Sequence, residues 1–107
     1  MSSLKHLHAV KRIALEKMVN FDGPVFNPFG DNQKLIDEGI EEAADSYNYA
    51  KMEESKILAQ LLTTPEQKEI FLKMLDDIQS SSLMLGVQWL EYEQALKEVT
   101  NETSKSD

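Results

Sequence analysis

Three groups of side chains in this 107-residue chain have the types and spacing to do chemistry. The first is the run Phe26-Asn27-Pro28-Phe29-Gly30-Asp31. Pro28 fixes φ and pushes Asn27 toward extended geometry, so no helix runs through this point. Gly30 permits close backbone approach, and Asp31 is a natural N-cap for the periodic segment that follows. Phe26 and Phe29 beside a helix N-terminus, with Asn27 between them, combine π-faces, backbone N–H donors and a positive dipole end. Those are the parts of a site for a small anionic ligand. The alternative use of the two phenylalanines is to plug the end of a helical bundle. The second group is cationic: Lys11 and Arg12 in a basic first segment, and Lys34 just after the turn. The third is acidic.

Glu38, Glu41, Glu42 and Asp45 lie within two helical turns, followed by Asn48 and Tyr49. Carboxylates three and four apart share a face and can hold Mg²⁺ together with substrate phosphates. This spacing resembles half of the motif of MazG-type all-α nucleotide pyrophosphohydrolases. That chemistry needs a second acidic pair on a preceding helix, and residues 1–30 supply only Glu16 and Asp22. Glu66, Glu69, Asp76 and Asp77 lie downstream. Measured against the apolar stripe of its helix, the acidic run is expected to face solvent. His6 and His8 are not on one helical face. No Ser/His/Asp or Cys/His set can be assembled, and Gly30 alone is no phosphate loop. The expectation is a non-catalytic protein with no metal and no cofactor.

Composition narrows the partners. The chain carries a net charge of −8 and no cysteine, which excludes disulfides and thiolate metal sites and points to a reducing cytoplasm. No apolar run approaches the ~20 residues of a membrane span, so no membrane association is expected. Charge is unevenly spread: residues 1–20 hold four cations against one acid, a net +3, while residues 21–107 hold seven lysines against eighteen acids, a net −11. An acidic body repels phosphate, so duplex nucleic acid is not an expected partner; the basic first segment can still meet a small anion.

The elements that must position these groups are helices, with no strand. The pattern predicts an all-α fold: a short N-terminal helix over about 3–20, a turn over 21–31, and helices over about 32–62 and 65–99. Residues 100–107 read as a flexible tail on a single domain. The second helix shows Ile36, Ile40, Ala43, Tyr47, Ala50, Ile57 and Leu61 in steps of three and four, broken only at Glu54. In the third, Thr64, Pro65 and Gln67 form a capping-box start. Its stripe runs Phe71, Leu75, Ile78, Ser82, Leu85, Trp89, Tyr92, Leu96 and Val99, which makes Trp89 and Tyr92 core residues. Two helices joined by little more than Thr63-Thr64 form a long antiparallel hairpin, with arms of about 45–50 Å. Gly39 and Gly86 fall near the same level of that hairpin. Glycine inside a helix costs up to about 1 kcal/mol, so the pair needs a reason: close packing, a kink in the second helix, or room for Trp89 or for the Phe26/Phe29 turn would each serve. A second apolar flank, including Leu58, Leu62, Leu72, Met74, Leu83, Met84 and Val87, predicts a homo-oligomer.

The turn 26–31 and the stretch Leu75-Asp76-Asp77-Ile78-Gln79-Ser80-Ser81-Ser82-Leu83-Met84 resemble a helical-hairpin family of phage cyclic-nucleotide sponges. Those proteins counter the CBASS and Thoeris anti-phage defences of bacteria. The likeness covers about residues 26–92. It implies an all-helical homo-oligomer, often a hexamer, in the cytoplasm of an infected host. Such a protein sequesters a cyclic di- or trinucleotide without cleaving it. It also implies Lys34 as the basic residue that the family carries early in its long helix; Phe26, Asn27, Phe29 and the basic first helix with Lys11 and Arg12 are the other parts this chain has available for such a ligand. A third class stays open: an acidic helical inhibitor that docks on a host protein through its −11 body.

Overall fold

The computed structural model describes residues 2–19, 32–61 and 63–106, and all their regular structure is helical. The chain forms two compact units, Met1–Gly30 and Asp31–Asp107. The first unit holds α1, Ser2–Val19, with Lys17 in its last turn, where a cation offsets the negative end of the dipole. Leu4, Leu7, Val10, Ile13, Leu15 and Met18 are all exposed on it.

The second unit is α2, Asn32–Ala59, and α3, Pro65–Ser106. At 1.5 Å per residue they are about 42 Å and about 63 Å long. They lie side by side in opposite directions. Gln33 Nε2 donates to Glu93 Oε2 at 2.7 Å, and Ser46 and Ser82 are joined through their hydroxyls at 2.8 Å. Nearer the link, Gln79 Nε2 donates to Glu54 Oε2 at 2.7 Å. Ser82 Oγ is also 2.8 Å from the Ile78 carbonyl. A hydroxyl has one proton, and a carbonyl only accepts, so Ser82 donates to Ile78 and Ser46 donates to Ser82.

The link follows from local chemistry. Thr64 precedes a proline and is held out of helical geometry. Its Oγ1 accepts from the Gln67 N–H at 3.2 Å, while the Thr64 N–H donates to Gln67 Oε1 at 3.0 Å. This reciprocal pair is the capping box that the sequence announces. α2 stops at Ala59, short of the expected 62, where the Gln60 N–H closes on the Ile57 carbonyl at 3.2 Å. Leu61, the last expected stripe position, is 95% exposed as a result. α3 runs on to Ser106, past the expected boundary at 99: residues 100–106 contain neither Gly nor Pro to stop it.

Burial on α2 follows the expected stripe. Ile36, Ala43 and Ala50, seven residues apart, are its buried positions, with Ile40, Tyr47 and Ile57 half-buried beside them. Glu54 fills the break by accepting from Gln79. Lys51 lies 3.5 Å from that carboxylate and 5.9 Å above the Tyr47 ring.

On α3 the seam departs from expectation. The side turned to α2 carries Leu72, Leu75, Gln79, Ser82, Gly86, Trp89, Glu93 and Leu96. Five expected stripe members, Phe71, Ile78, Leu85, Tyr92 and Val99, are exposed. The reason is size. Alanines at 43 and 50 bring the backbones close, and only small or hydrogen-bonding partners fit opposite them. A Cβ built on Gly86 would stand 3.7 Å from Ala43 Cβ, an ordinary contact.

Gly39 is different. A Cβ there would stand 2.6 Å from Trp89 Nε1 and 2.7 Å from Cδ2, and nearer still to Cε2. The indole therefore lies directly on the Gly39 backbone, and any side chain would displace it.

The two glycines should respond to alanine with opposite signs. Gly86→Ala gains helix propensity without a clash and should stabilise by up to about 1 kcal/mol. Gly39→Ala gains the same propensity but overpacks against Trp89, and should destabilise by about 1–2 kcal/mol net. Urea midpoints of the two variants check this; equal shifts would contradict the packing.

Candidate functional site

The sequence-expected site residues divide between the two units. Lys11 and Arg12 are exposed on α1. Arg12 joins Leu4, Lys5, His8 and Ala9 around a shallow groove of about 440 Å³, so three basic side chains share one face of that helix. Lys34 is exposed in the first turn of α2, in the other unit. Phe26, Asn27 and Phe29 lie outside the described residues.

An open groove of about 420 Å³ lies between α2 and α3, lined by Leu35, Leu85, Gln88, Trp89 and Tyr92. Its size falls within the range of small-molecule sites, and its lining is almost wholly apolar with one amide, Gln88. Trp89 and Tyr92 meet edge to face, with ring centroids 6.2 Å apart and planes at 82°. Trp89 is half-buried, its indole resting on Gly39, whereas Tyr92 is 52% exposed. The core role expected for these two rings therefore applies to Trp89 in part and not to Tyr92. Lys34 directly precedes Leu35 on α2, at the end of the helix that carries the positive dipole.

A polar clamp closes this end of the helix pair. Gln33 Nε2 uses both protons, one to Glu93 at 2.7 Å and one to Asp37 at 2.9 Å. Lys97 Nζ adds a contact of 3.5 Å to Glu93. The Gln33 amide, and secondarily Lys97, hold the Glu93 carboxyl below its ordinary pKa against the opposing effect of partial burial. Glu54 is lowered in the same way, chiefly by the Gln79 amide and then by Lys51.

The acidic run has its own surroundings. Glu42 and Asp45, with Glu53, rim a second groove of about 350 Å³ whose floor is Ala50, Leu75 and Ile78. Among the described residues no group of three or more His, Asp or Glu side chains is placed to hold a metal ion.

No protein-family model, curated protein or solved structure matches the chain.

Sequence reasoning missed Leu35, Leu85, Gln88 and Tyr92 as site residues, because the three-four stripe on α3 reads as one core-facing seam. The signal that separates them was present. Gly86 and the Gln79–Ser82 pair mark a close-approach face one residue away from Leu85 and Tyr92.

The clamp predicts a pH dependence with a defined sign. Both carboxyls have folded-state pKa values below their unfolded ones. Their contribution is thus complete above the ordinary glutamate value of about 4.3 and is lost as pH falls through the lowered folded value. Removing the amide donors with Gln33→Met and Gln79→Met should cost stability at pH 7 and flatten the acid limb of the urea midpoint against pH. A parallel downward shift of the whole curve would contradict this assignment.

Proposed function

We propose that this protein is a non-catalytic sponge that binds a cyclic di- or trinucleotide and withholds it from bacterial anti-phage signalling. It would act in the cytoplasm of an infected cell, as a homo-oligomer built from long α2–α3 hairpins. The observation that carries the reading is the aromatic groove of Trp89 and Tyr92, with Lys34 next in sequence to its lining residue Leu35. A cyclic dinucleotide presents bases to stack and phosphates to neutralise. Aromatic faces bind any base, an amide such as Gln88 can meet a base edge, and a lysine meets a phosphate. The described lining of the groove carries no carboxylate, histidine, serine or lysine, which suits holding over cleavage. Phe26, Asn27 and Phe29, and separately the basic face of Lys11 and Arg12 on α1, are the other residues proposed to bind such an anion.

One observation favours a second reading. The groove rimmed by Glu42, Asp45 and Glu53 has an apolar floor and an acidic edge, which suits a cationic amphipathic helix of a host protein. That is the acidic-inhibitor alternative.

Titration with cyclic di-GMP, cyclic di-AMP and cyclic trinucleotides, followed by calorimetry and by Trp89 emission, tests the first reading; Trp89 is the only tryptophan. The expected result is saturable binding that weakens with salt, with the nucleotide recovered intact after denaturation. Tyr92→Ala should cost about 1–3 kcal/mol of affinity if the ring stacks on a base. Lys34→Ala should cost about 1.5–3 kcal/mol if the ammonium meets a phosphate. Cleaved nucleotide would point to an enzyme, and no binding across the panel would promote the acidic-inhibitor reading.

A further inference from the structure

Three depressions on one face of the α2–α3 pair run together into one groove. The acid-rimmed stretch shares Ser46 and Ile78 with a central stretch of about 330 Å³, and that stretch shares Leu85 with the groove around Trp89. The α3 wall extends from Leu75 to Tyr92 and the α2 wall from Leu35 to Glu53, both at helical spacing, so each wall follows its helix axis. The α2 wall is about 27 Å long. The floor stays apolar from Leu75 through Ile78 and Leu85 to Trp89. Buried Ser82 interrupts it, but that hydroxyl is already spent on Ser46 and the Ile78 carbonyl. A long channel between two antiparallel helices, with an apolar floor, has the form that a third helix fills.

Charge along the channel is one-sided. Glu42, Asp45 and Glu53 stand on the α2 edge and Asp77 on the α3 edge, and no cation lines any of the three stretches. The end around Trp89 has no carboxylate, and Gln88 supplies its amide. Such an edge repels the acidic body of a second copy, a net −11 over residues 21–107, and attracts a cation.

We infer that this groove seats one cationic amphipathic helix of a partner protein along its whole length, and that the helix and the nucleotide exclude each other at Trp89. The apolar stripe of such a helix covers Leu75, Ile78 and Leu85, and cations flanking one half of it meet the four carboxylates. Its other half, uncharged, lies over Gln88, Trp89 and Tyr92, the surface proposed to stack on a base. A helix that continues past Leu85 therefore covers the nucleotide site, and docking of the partner releases the nucleotide. The docking builds on the acidic-edge reading and adds the Trp89 end to it. The exclusion rests also on the nucleotide reading; the docking does not.

The probe is an acetylated helical peptide of about 18 residues, the number that spans the channel. It carries leucine at three-four spacing, lysine on both flanks of that stripe over one half and glutamine over the other. Calorimetry and sedimentation with the full chain should show saturable binding of one peptide per chain. The same peptide with glutamate for lysine, and a shuffled lysine peptide of equal charge, should bind about tenfold or more weakly. Neutralising the edge with Glu42→Gln, Asp45→Asn and Glu53→Gln together should weaken the lysine peptide about tenfold or more. Glu66→Gln, Glu69→Gln and Asp76→Asn together remove the same charge outside the groove and should weaken it far less. All six positions are exposed, so both triple variants should keep wild-type helix content by circular dichroism. Cyclic di-GMP held by wild type should be displaced by the lysine peptide, against a background titration of peptide into nucleotide alone. The edge-neutral variant should hold the nucleotide and resist displacement.

Equal losses in the two triple variants, or a shuffled peptide bound as tightly, would reduce the attraction to net charge and overturn the docking. So would a wild-type oligomer that the edge-neutral variant dissociates, which would give the groove to a second copy. Peptide and cyclic di-GMP bound together at undiminished affinity would overturn the exclusion. Groove-dependent peptide uptake with no nucleotide bound would support the docking and count against sequestration.

Discussion

The second unit of this protein depends on an indole lying on a glycine. Trp89 fits between α2 and α3 only because residue 39 has no side chain, and the contact leaves no room for one. A large ring beside a seam of alanines would ordinarily hold two helices apart. Here the ring takes the space a side chain would have filled, so the helices stay close at Ala43 and Gly86 while Trp89 remains half-buried near their end. The exposed part of the ring then becomes one wall of the aromatic groove. A single packing contact thus links the stability of the pair to the surface proposed for ligand. The helix-propensity cost of Gly39, about 1 kcal/mol, is the energetic trace of that link.

Polar contacts set the register around this point. Hydrophobic contact alone separates the alternative alignments of two amphipathic helices poorly. Three cross-helix hydrogen bonds, at Gln33–Glu93, Ser46–Ser82 and Glu54–Gln79, lie along the interface. Sliding one helix by a turn breaks all of them and leaves buried Ser82 and Gln79 without their partners across the interface. Ser82 and Gln79, at 6% and 7% exposure, are the most buried of these groups.

Much of this was legible in the amino-acid order. The all-helical content, the proline-led start of α3 with its capping box, the α2 stripe and the need to explain Gly39 were all readable in advance. The face that α3 turns to α2 was not. Periodicity reports that a helix has an apolar stripe but not which neighbour the stripe meets, and α3 has two stripes one residue apart. The mixed one, with Gln79, Ser82 and Gly86, went to α2 because Ala43 and Ala50 admit only close partners. The purely uncharged one was left outside. Of the expected site residues, Lys34 stands beside the groove in sequence, Lys11 and Arg12 sit on the basic face of α1, and Phe26, Asn27 and Phe29 fall outside the described residues.

The contact between Trp89 and Gly39 is the claim on which the groove, the close seam and the register all converge. Proton NMR of the free protein tests it directly, because an indole stacked on a glycine shifts that glycine's α-protons by its ring current. Gly39 α-protons moved well upfield, with cross-relaxation to the Trp89 ring and none to that of Tyr92, is the predicted result. Gly39 α-protons at ordinary helical positions, with no cross-relaxation to the indole, would contradict the account.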